Sequence, residues 1–156
     1  MELSTVFWAF FWGFGASFCC AILFNTGKFD IFWASLLGGL GWMCYTFVSG
    51  STASVSAGYL CGSFCVALCA EFLAFIVKNP ATVFLIPGLI PLVPGGGMFQ
   101  TMRAVVTGQG ELALEIGYTT LIAAGAIALG IALASSVAHT ISLIAGRKHK
   151  YPTGND

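Results

Sequence analysis

The chain has 156 residues, of which 58% are hydrophobic and only 8% are charged, and its mean hydropathy is +0.92. Because a soluble domain has roughly 25% charged residues, this composition indicates an integral membrane protein. Six basic and six acidic side chains give a formal net charge of zero, which excludes a basic surface for nucleic acid and an acidic tail for a cationic partner. We therefore expect the lipid bilayer and other membrane proteins as partners.

Apolar runs along the chain predict its membrane spans, since a spanning helix needs about 20 apolar residues. The first run lacks the basic start of a signal peptide and is longer than a typical signal-peptide core, so we expect it to be retained. In chain order the predicted spans cover residues 3–24, 29–48, 54–77, 80–107 and 115–146. The prediction is an all-α polytopic protein with a single membrane domain, residues 1–156.

The fourth run cannot be an uninterrupted helix, because residues 86–97 read Ile-Pro-Gly-Leu-Ile-Pro-Leu-Val-Pro-Gly-Gly-Gly. Proline removes backbone donors, and glycine gives the chain no side-chain reason to stay helical. Irregular backbone survives in a bilayer only where protein buries it or where it lines a polar cavity. We therefore predict a broken crossing, interrupted near mid-membrane, with Pro87, Gly88 and Pro91 as its hinge.

Basic residues in short loops predict the orientation, because Lys and Arg accumulate on the cytoplasmic side. Five crossings place Lys28, Lys78 and the basic tail at residues 147–150 together in the cytoplasm. A re-entrant fourth segment would give four crossings and put Lys78 opposite the tail. The odd count predicts an outside N-terminus and a cytoplasmic C-terminus, as in one repeat of an inverted-topology transporter.

A four-residue spacing of small side chains predicts close helix packing in two spans. The fifth span carries such a ladder: Ala126, Gly130, Ala134 and Ala138. Cys61, Cys65 and Cys69 have the same spacing, which fits either a soft metal ion or a packing stripe. Since no histidine joins them, we interpret them as packing residues and predict no metal and no other cofactor.

A helix that resumes after the break would offer unpaired amides and a partial charge of about +0.5 at its N-terminus. Carboxylates bind such ends, and the glycines let a substrate reach the backbone. Two side chains in the first turn supply further donors. The substrate-binding candidates are Pro94, Gly95, Gly96, Gly97, Gln100 and Thr101. The alternative is that the prolines merely kink a packed helix.

Arg103 is the only arginine outside the tail and is a further substrate-binding candidate, because it could pair with a carboxylate in transit. Alternatively, its side chain reaches the outer surface or pairs with Glu111 or Glu115.

Glu71 and His139 are predicted at matching depth in the membrane. Glu71 precedes Lys78 by seven residues, which places it ~10 Å below the cytoplasmic boundary, and His139 lies similarly before the basic tail. An acid and an imidazole at one depth are candidates for carrying a coupling proton. The alternative is a glutamate that stretches to the interface and a histidine that bonds to a neighbouring helix.

Three stretches of the chain resemble the threonine/serine exporter family, in its short members. The most specific is residues 84–98 followed by Thr101-Met102. Residues 21–25 leading to residues 36–42 resemble the family's first hairpin, and Glu71 followed by Lys78 and Pro80 resembles the end of its third helix. The resemblance covers nearly the whole chain.

The resemblance implies a subunit of the bacterial inner membrane that corresponds to the C-terminal half of the fused exporters. A separate, larger membrane subunit would supply the other half. Family members are associated with export of threonine and serine, and the split pair with export of succinate, so the implied substrate is a small hydrophilic carboxylate. The stoichiometry stays open and allows a homo-oligomer.

Two other functions compete with a half-transporter. The chain could be a non-transporting subunit that stabilises or localises a partner, with the break as a packing device. A membrane enzyme acting on lipid headgroups is disfavoured, because the spans contain almost no acid or base groups. The sequence has no Ser/His/Asp set, P-loop pattern or histidine-based metal site, so we predict a protein that is not an enzyme.

Overall fold

The computed structural model describes residues 3–144, and side chains for residues 4–141. Its elements are α1 (Leu3–Leu23), α2 (Lys28–Thr52), α3 (Val55–Val77), α4 (Thr82–Leu89), a 3-10 turn (Ile90–Leu92), α5 (Gly95–Val106) and α6 (Gly110–Ile144). Four helices are long and apolar enough to cross a membrane, and α4 with α5 forms a bent fifth candidate. The predicted all-α polytopic fold with an interrupted fourth span is confirmed. The basic tail lies outside the described residues.

Tight turns connect the helices and make neighbours antiparallel. The chain leaves α1, α2 and α3 through residues with left-handed backbone, Asn25 (φ 53°), Ala53 (φ 52°) and Lys78 (φ 61°). Gly108 (φ 74°) does the same after α5, where a glycine adopts the conformation without strain. Each helix is thereby turned back along the one before it.

In three helix pairs, a hydroxyl group of one helix lies directly against a glycine of the other. The pairs are Ser17 on Gly38 (α1 and α2), Ser63 on Gly130 (α3 and α6), and Thr120 on Gly97 (α6 and α5). A Cβ atom at any of these glycines would collide with the hydroxyl. Lipid gives helices no hydrophobic reason to associate, so close approach over small residues supplies the attraction.

The centre of the protein is an apolar cluster between α2, α3 and α4, with buried members Leu37, Val66, Ala70, Leu73, Phe84 and Leu92. Leu92, which ends the 3-10 turn, has no exposed surface. Its methyl groups lie 3.1 Å and 2.8 Å from where Gly41 and Gly62 would carry a Cβ. This side chain therefore anchors the first half of the broken span in the bundle.

The direction of α6 shows how the broken span passes through the bundle. Ser63 contacts Gly130, and further along both helices the Ser135 hydroxyl donates to Glu71 Oε1 at 3.4 Å. Since both contacts advance in the same chain direction, α3 and α6 run parallel. Residues 78–109 must then carry the chain from the end of the bundle where α3 finishes to the end where it starts. A re-entrant segment would make α6 antiparallel to α3.

One part of the protein extends beyond the rest. With 35 residues, α6 is about 52 Å long, against roughly 30 Å of bilayer hydrocarbon. Counting back from the contact of Ser63 with Gly130, the start of α3 lies abreast of about residue 122 of α6, so residues 110–121 extend ~18 Å further. Along them runs α5, with Gly97 against Thr120. We call residues 95–121 the overhanging hairpin.

At the opposite end of the bundle, a hydrogen bond between polar side chains connects the region after α3 to the start of α2. The Asn79 side-chain amide, after α3, donates to Asp30 Oδ2, in the first turn of α2, at 2.9 Å. Lys28 and Lys78 are exposed at this same end. The two loops for which the sequence predicts a shared side of the membrane are thus in contact.

Candidate functional site

The bend of the broken span lies at Val93 and Pro94, where the two halves meet at 53°. The hinge candidates come before it: Pro87 and Gly88 are buried inside α4, and Pro91 belongs to the 3-10 turn. A proline in α4 removes one backbone hydrogen bond without ending the helix. The α-helix continues to Leu89 and the 3-10 turn to Leu92, and the chain bends only after them, just before the three glycines that begin α5.

Relative to the helix bundle, the freed amides lie near the end where α3 starts, whereas the sequence predicts a break near mid-membrane. Leu92 is still inside the bundle beside Gly41 and Gly62, but Gly97 contacts Thr120 in the overhanging hairpin. Thr120 precedes Gly130 by ten residues, or about 15 Å of helix. Residues 93–97 therefore lead from the interior of the bundle to the end where α3 starts. The mid-membrane depth of the freed amides stays a prediction.

The N-terminus of α5 presents backbone donors to open space. The Gly95 amide donates to the Val93 carbonyl at 2.7 Å, and the Met98 amide donates to the Pro94 carbonyl at 3.2 Å. Between them, the Gly96 and Gly97 amides have no acceptor within the helix, and no side chain caps this end. No atom lies within 4 Å of where Gly95 or Gly96 would carry a Cβ, so both backbones are accessible.

Gln100 and Thr101 point to different environments. Gln100 is exposed, with its amide free to bind a ligand beside the α5 terminus. The Thr101 hydroxyl donates to the Gly97 carbonyl at 2.8 Å, and its methyl group lies against Gly117 of α6. Thr101 therefore holds α5 to α6, while Gln100 remains available to a substrate.

Arg103 is exposed on α5, in the overhanging hairpin. Among the described residues it forms no ion pair, so the alternative pairing with Glu111 or Glu115 is not made in this structure. Its guanidinium lies about two turns from the open backbone amides, in a hairpin that also carries Glu111 and Glu115.

A shallow groove of about 710 Å³ runs between α5 and α6 on one side of the hairpin. Its lining is almost entirely apolar: Thr101, Val105, Gly108, Gly110, Ala113, Leu114, Gly117, Tyr118 and Leu121. Of the predicted binding residues only Thr101 touches it. The groove therefore suits an apolar partner rather than a carboxylate.

Glu71 lies half-buried in the seam between α3 and α6. Its partner is Ser135, whose hydroxyl donates to Oε1 at 3.4 Å. His139 follows Ser135 by one helical turn and is exposed. Ser135 was missed by sequence reasoning, although its position one turn before His139, directly after Ala134 of the ladder of small residues, was the available signal.

The cysteines of α2 and α3 cluster, since the Cys65 thiol neighbours those of Cys44 and Cys69. Within residues 3–144, no group of three or more His, Cys, Asp or Glu side chains is placed to hold a metal ion. The cluster lies in the interface of two packed helices, in keeping with a packing stripe.

Comparison with known proteins gives one match. The family model described as Threonine/Serine exporter, ThrE, matches residues 9–137, from α1 through the break and most of α6. No curated protein and no solved structure matches the chain. Because the family model covers well over half of the sequence, this multi-pass membrane protein belongs to the threonine/serine exporter family.

Proposed function

We propose that the chain is one half of a two-component secondary transporter that exports a small hydrophilic carboxylate. The observation that carries the proposal is the N-terminus of α5, where uncapped amides, glycine backbone and a polar side chain are open to a ligand. Helix N-termini in broken spans bind anionic groups of transported substrates. The family match supports export as the direction.

In this proposal the carboxylate accepts hydrogen bonds from the Gly96 and Gly97 amides, and Gln100 binds a second oxygen or a hydroxyl. Arg103 attracts the anion from about two turns away. Pro94 and Thr101 shape the turn, Pro94 by ending the first half-span and Thr101 by bonding to Gly97. Threonine, serine and a dicarboxylate such as succinate all satisfy these donors.

A larger membrane subunit supplies the other wall of the site. Support comes from the open space around Gly95 and Gly96, because a transported anion must be enclosed on all sides before it crosses a bilayer. The parallel arrangement of α3 and α6 gives an odd number of passes, which suits one repeat of a two-part transporter.

The proposed orientation in the bacterial inner membrane follows the basic residues. Lys28 and Lys78 lie at one end of the bundle, and the positive-inside rule assigns that end to the cytoplasm. The N-terminus and the overhanging hairpin are then outside, and the C-terminus is cytoplasmic. The α5 terminus therefore lies toward the exit of the export pathway.

We assign the coupling ion to a proton on Glu71, with His139 as the neighbouring group of the relay. Glu71 is the only acidic residue within α3, and its carboxylate is held in the α3–α6 seam by Ser135. Ionisable side chains inside membrane spans commonly mark proton pathways. The relay would run along the seam, on the cytoplasmic side of the substrate site.

Efflux from proteoliposomes tests the proposal, with and without the larger subunit and against serine, threonine and succinate. We expect efflux of at least one substrate only when both subunits are present. Gly96→Leu should abolish efflux while the complex still assembles, because a side chain there covers the amides. Gly15→Leu, at an equally open glycine on α1, should leave efflux unchanged. Loss of assembly together with efflux in Gly96→Leu would instead favour a non-transporting, stabilising subunit.

A further inference from the structure

The overhanging hairpin has one markedly apolar side. Six side chains form it: Met98, Met102 and Val105 of α5, and Leu114, Tyr118 and Leu121 of α6. They are 48–77% exposed, and four of them, Val105, Leu114, Tyr118 and Leu121, line the shallow groove between the two helices. We call this surface the apolar flank. Its groove is lined by none of the neighbouring charged residues Arg103, Glu111 and Glu115.

Lipid alone does not account for the apolar flank. The helices α1, α2 and α3 have 21, 25 and 23 residues, lengths that already match the bilayer hydrocarbon. The hairpin continues about 18 Å past the start of α3, into the headgroup region and the water beyond. A contiguous apolar surface in that position marks a site of protein association.

We propose that the apolar flank packs against the same flank of a second copy of this chain. All six side chains are about half to three-quarters exposed, so together they offer an area of the order that each partner contributes to a standard protein interface, ~800 Å². The flank meets its own copy without bringing like charges together, because its groove has no charged lining. Met98 and Met102 form a flexible ridge that can fill the facing groove.

The membrane restricts the geometry of such a dimer. Two copies inserted with the same orientation are related by a two-fold axis along the membrane normal. Each residue near this axis then meets its counterpart at the same depth. Tyr118, at the centre of the α6 part of the flank, should face Tyr118 of the second copy, whereas Thr119 points away on the next position of the helix.

Cysteine cross-linking of the full chain in native membranes tests this contact. Tyr118→Cys should form a disulfide-linked species of twice the chain mass under mild oxidation. The matched control Thr119→Cys, also at an exposed position, should remain monomeric, as should the parent chain with its six native cysteines. Equal cross-linking at both positions overturns the proposal. So does a Tyr118→Cys product with a different protein, which would assign the flank to a heteromeric partner.

A charged substitution provides a second, independent measurement. Leu114→Arg should shift the purified protein from dimer to monomer by native mass spectrometry in detergent, while Thr119→Arg should leave the dimer intact. A parent chain that is monomeric under conditions preserving its helical circular dichroism contradicts the proposal. The outcome does not depend on the substrate or on the proposed export function.

Discussion

The packed bundle and the overhanging hairpin use glycine in opposite ways. In the bundle, Gly41 and Gly62 form the walls of the recess that Leu92 fills. In the hairpin, Gly95 and Gly96 have no neighbouring atom within 4 Å of their missing Cβ. The first pair allows helices and side chains to approach, and the second leaves backbone amides uncovered. Glycine thus serves packing at Gly41 and Gly62 and accessibility at Gly95 and Gly96, while Gly97, the third glycine of the run, packs against Thr120.

The two regions should also differ in local stability. α2 packs against α1, α3 and α4, and so has protein on several sides, whereas α5 contacts mainly α6. Regions with few packed neighbours open more readily than the rest of a protein. The candidate site on the weakly held side should therefore open more readily than the first half of the broken span, which Leu92 anchors in the bundle.

The largest predicted effect comes from placing a branched side chain at a glycine of each region. Gly62→Ile should abolish folding, because even its Cβ would lie 2.8 Å from Leu92 and 3.0 Å from the Gly41 carbonyl oxygen, and overpacking a core is strongly destabilising. Gly96→Ile should fold and lose transport. Yield of monodisperse protein after detergent extraction distinguishes them. Equal yields would remove the distinction between the two kinds of glycine.

A large-to-small substitution tests the same contrast with apolar side chains. Leu92 is completely buried, and Leu92→Ala should cost about 2–4 kcal/mol through lost contacts and a cavity. Phe99, on the other side of the bend, is 68% exposed, so Phe99→Ala should change stability by less than about 0.5 kcal/mol.

Once the exposed Cys19 has reacted, the reactivity of the half-buried native cysteines toward a fluorescent maleimide during heating measures both unfolding transitions. A destabilisation of Phe99→Ala as large as that of Leu92→Ala would show that the isolated chain already buries the hairpin against another surface.

Hydropathy and the position of proline and glycine were sufficient to predict the fold class. Long apolar runs directly indicate segments that lie in lipid. Inside a bilayer the backbone must satisfy its own hydrogen bonds, and a helix does so within a single segment. The interruption was predictable because prolines and three glycines remove helical hydrogen bonds and rigidity together. The parallel arrangement of α3 and α6 agrees with the odd number of crossings predicted from Lys28, Lys78 and the basic tail at residues 147–150.

The depth of the candidate site was not predictable, because composition does not record which helices are longer than the bilayer. The predicted fifth span begins at residue 115, yet α6 begins at Gly110 and its residues 110–121 lie past the start of α3 beside α5. The role of Thr101 was also not predictable. The sequence alone does not distinguish a threonine whose hydroxyl donates to the Gly97 carbonyl from one whose hydroxyl binds a ligand.

An intermediate effect is expected at the polar tie between the two loops of the bundle. Asn79→Ala removes the 2.9 Å hydrogen bond to Asp30, and one hydrogen bond to a charged group contributes about 1.5–3 kcal/mol at most when it is shielded from water. Because these loops face solvent, we expect Asn79→Ala to lower the free energy of unfolding by about 1.5 kcal/mol or less.

Gln100→Ala, at an exposed hairpin amide, should leave stability unchanged and weaken transport. Thermal unfolding and efflux assays report these two effects separately.

The smallest effect on stability and the most specific effect on function are predicted at Glu71. Glu71→Gln keeps the carbonyl oxygen that accepts the long, 3.4 Å hydrogen bond from Ser135, so the fold should be nearly unaffected. Gln cannot release a proton, and efflux should therefore lose its dependence on the pH gradient. Arg103→Gln, in the hairpin, should instead raise the substrate concentration needed for half-maximal efflux and preserve coupling. If Glu71→Gln retains pH-driven efflux, the seam between α3 and α6 is a packing contact and the coupling group belongs to the larger subunit.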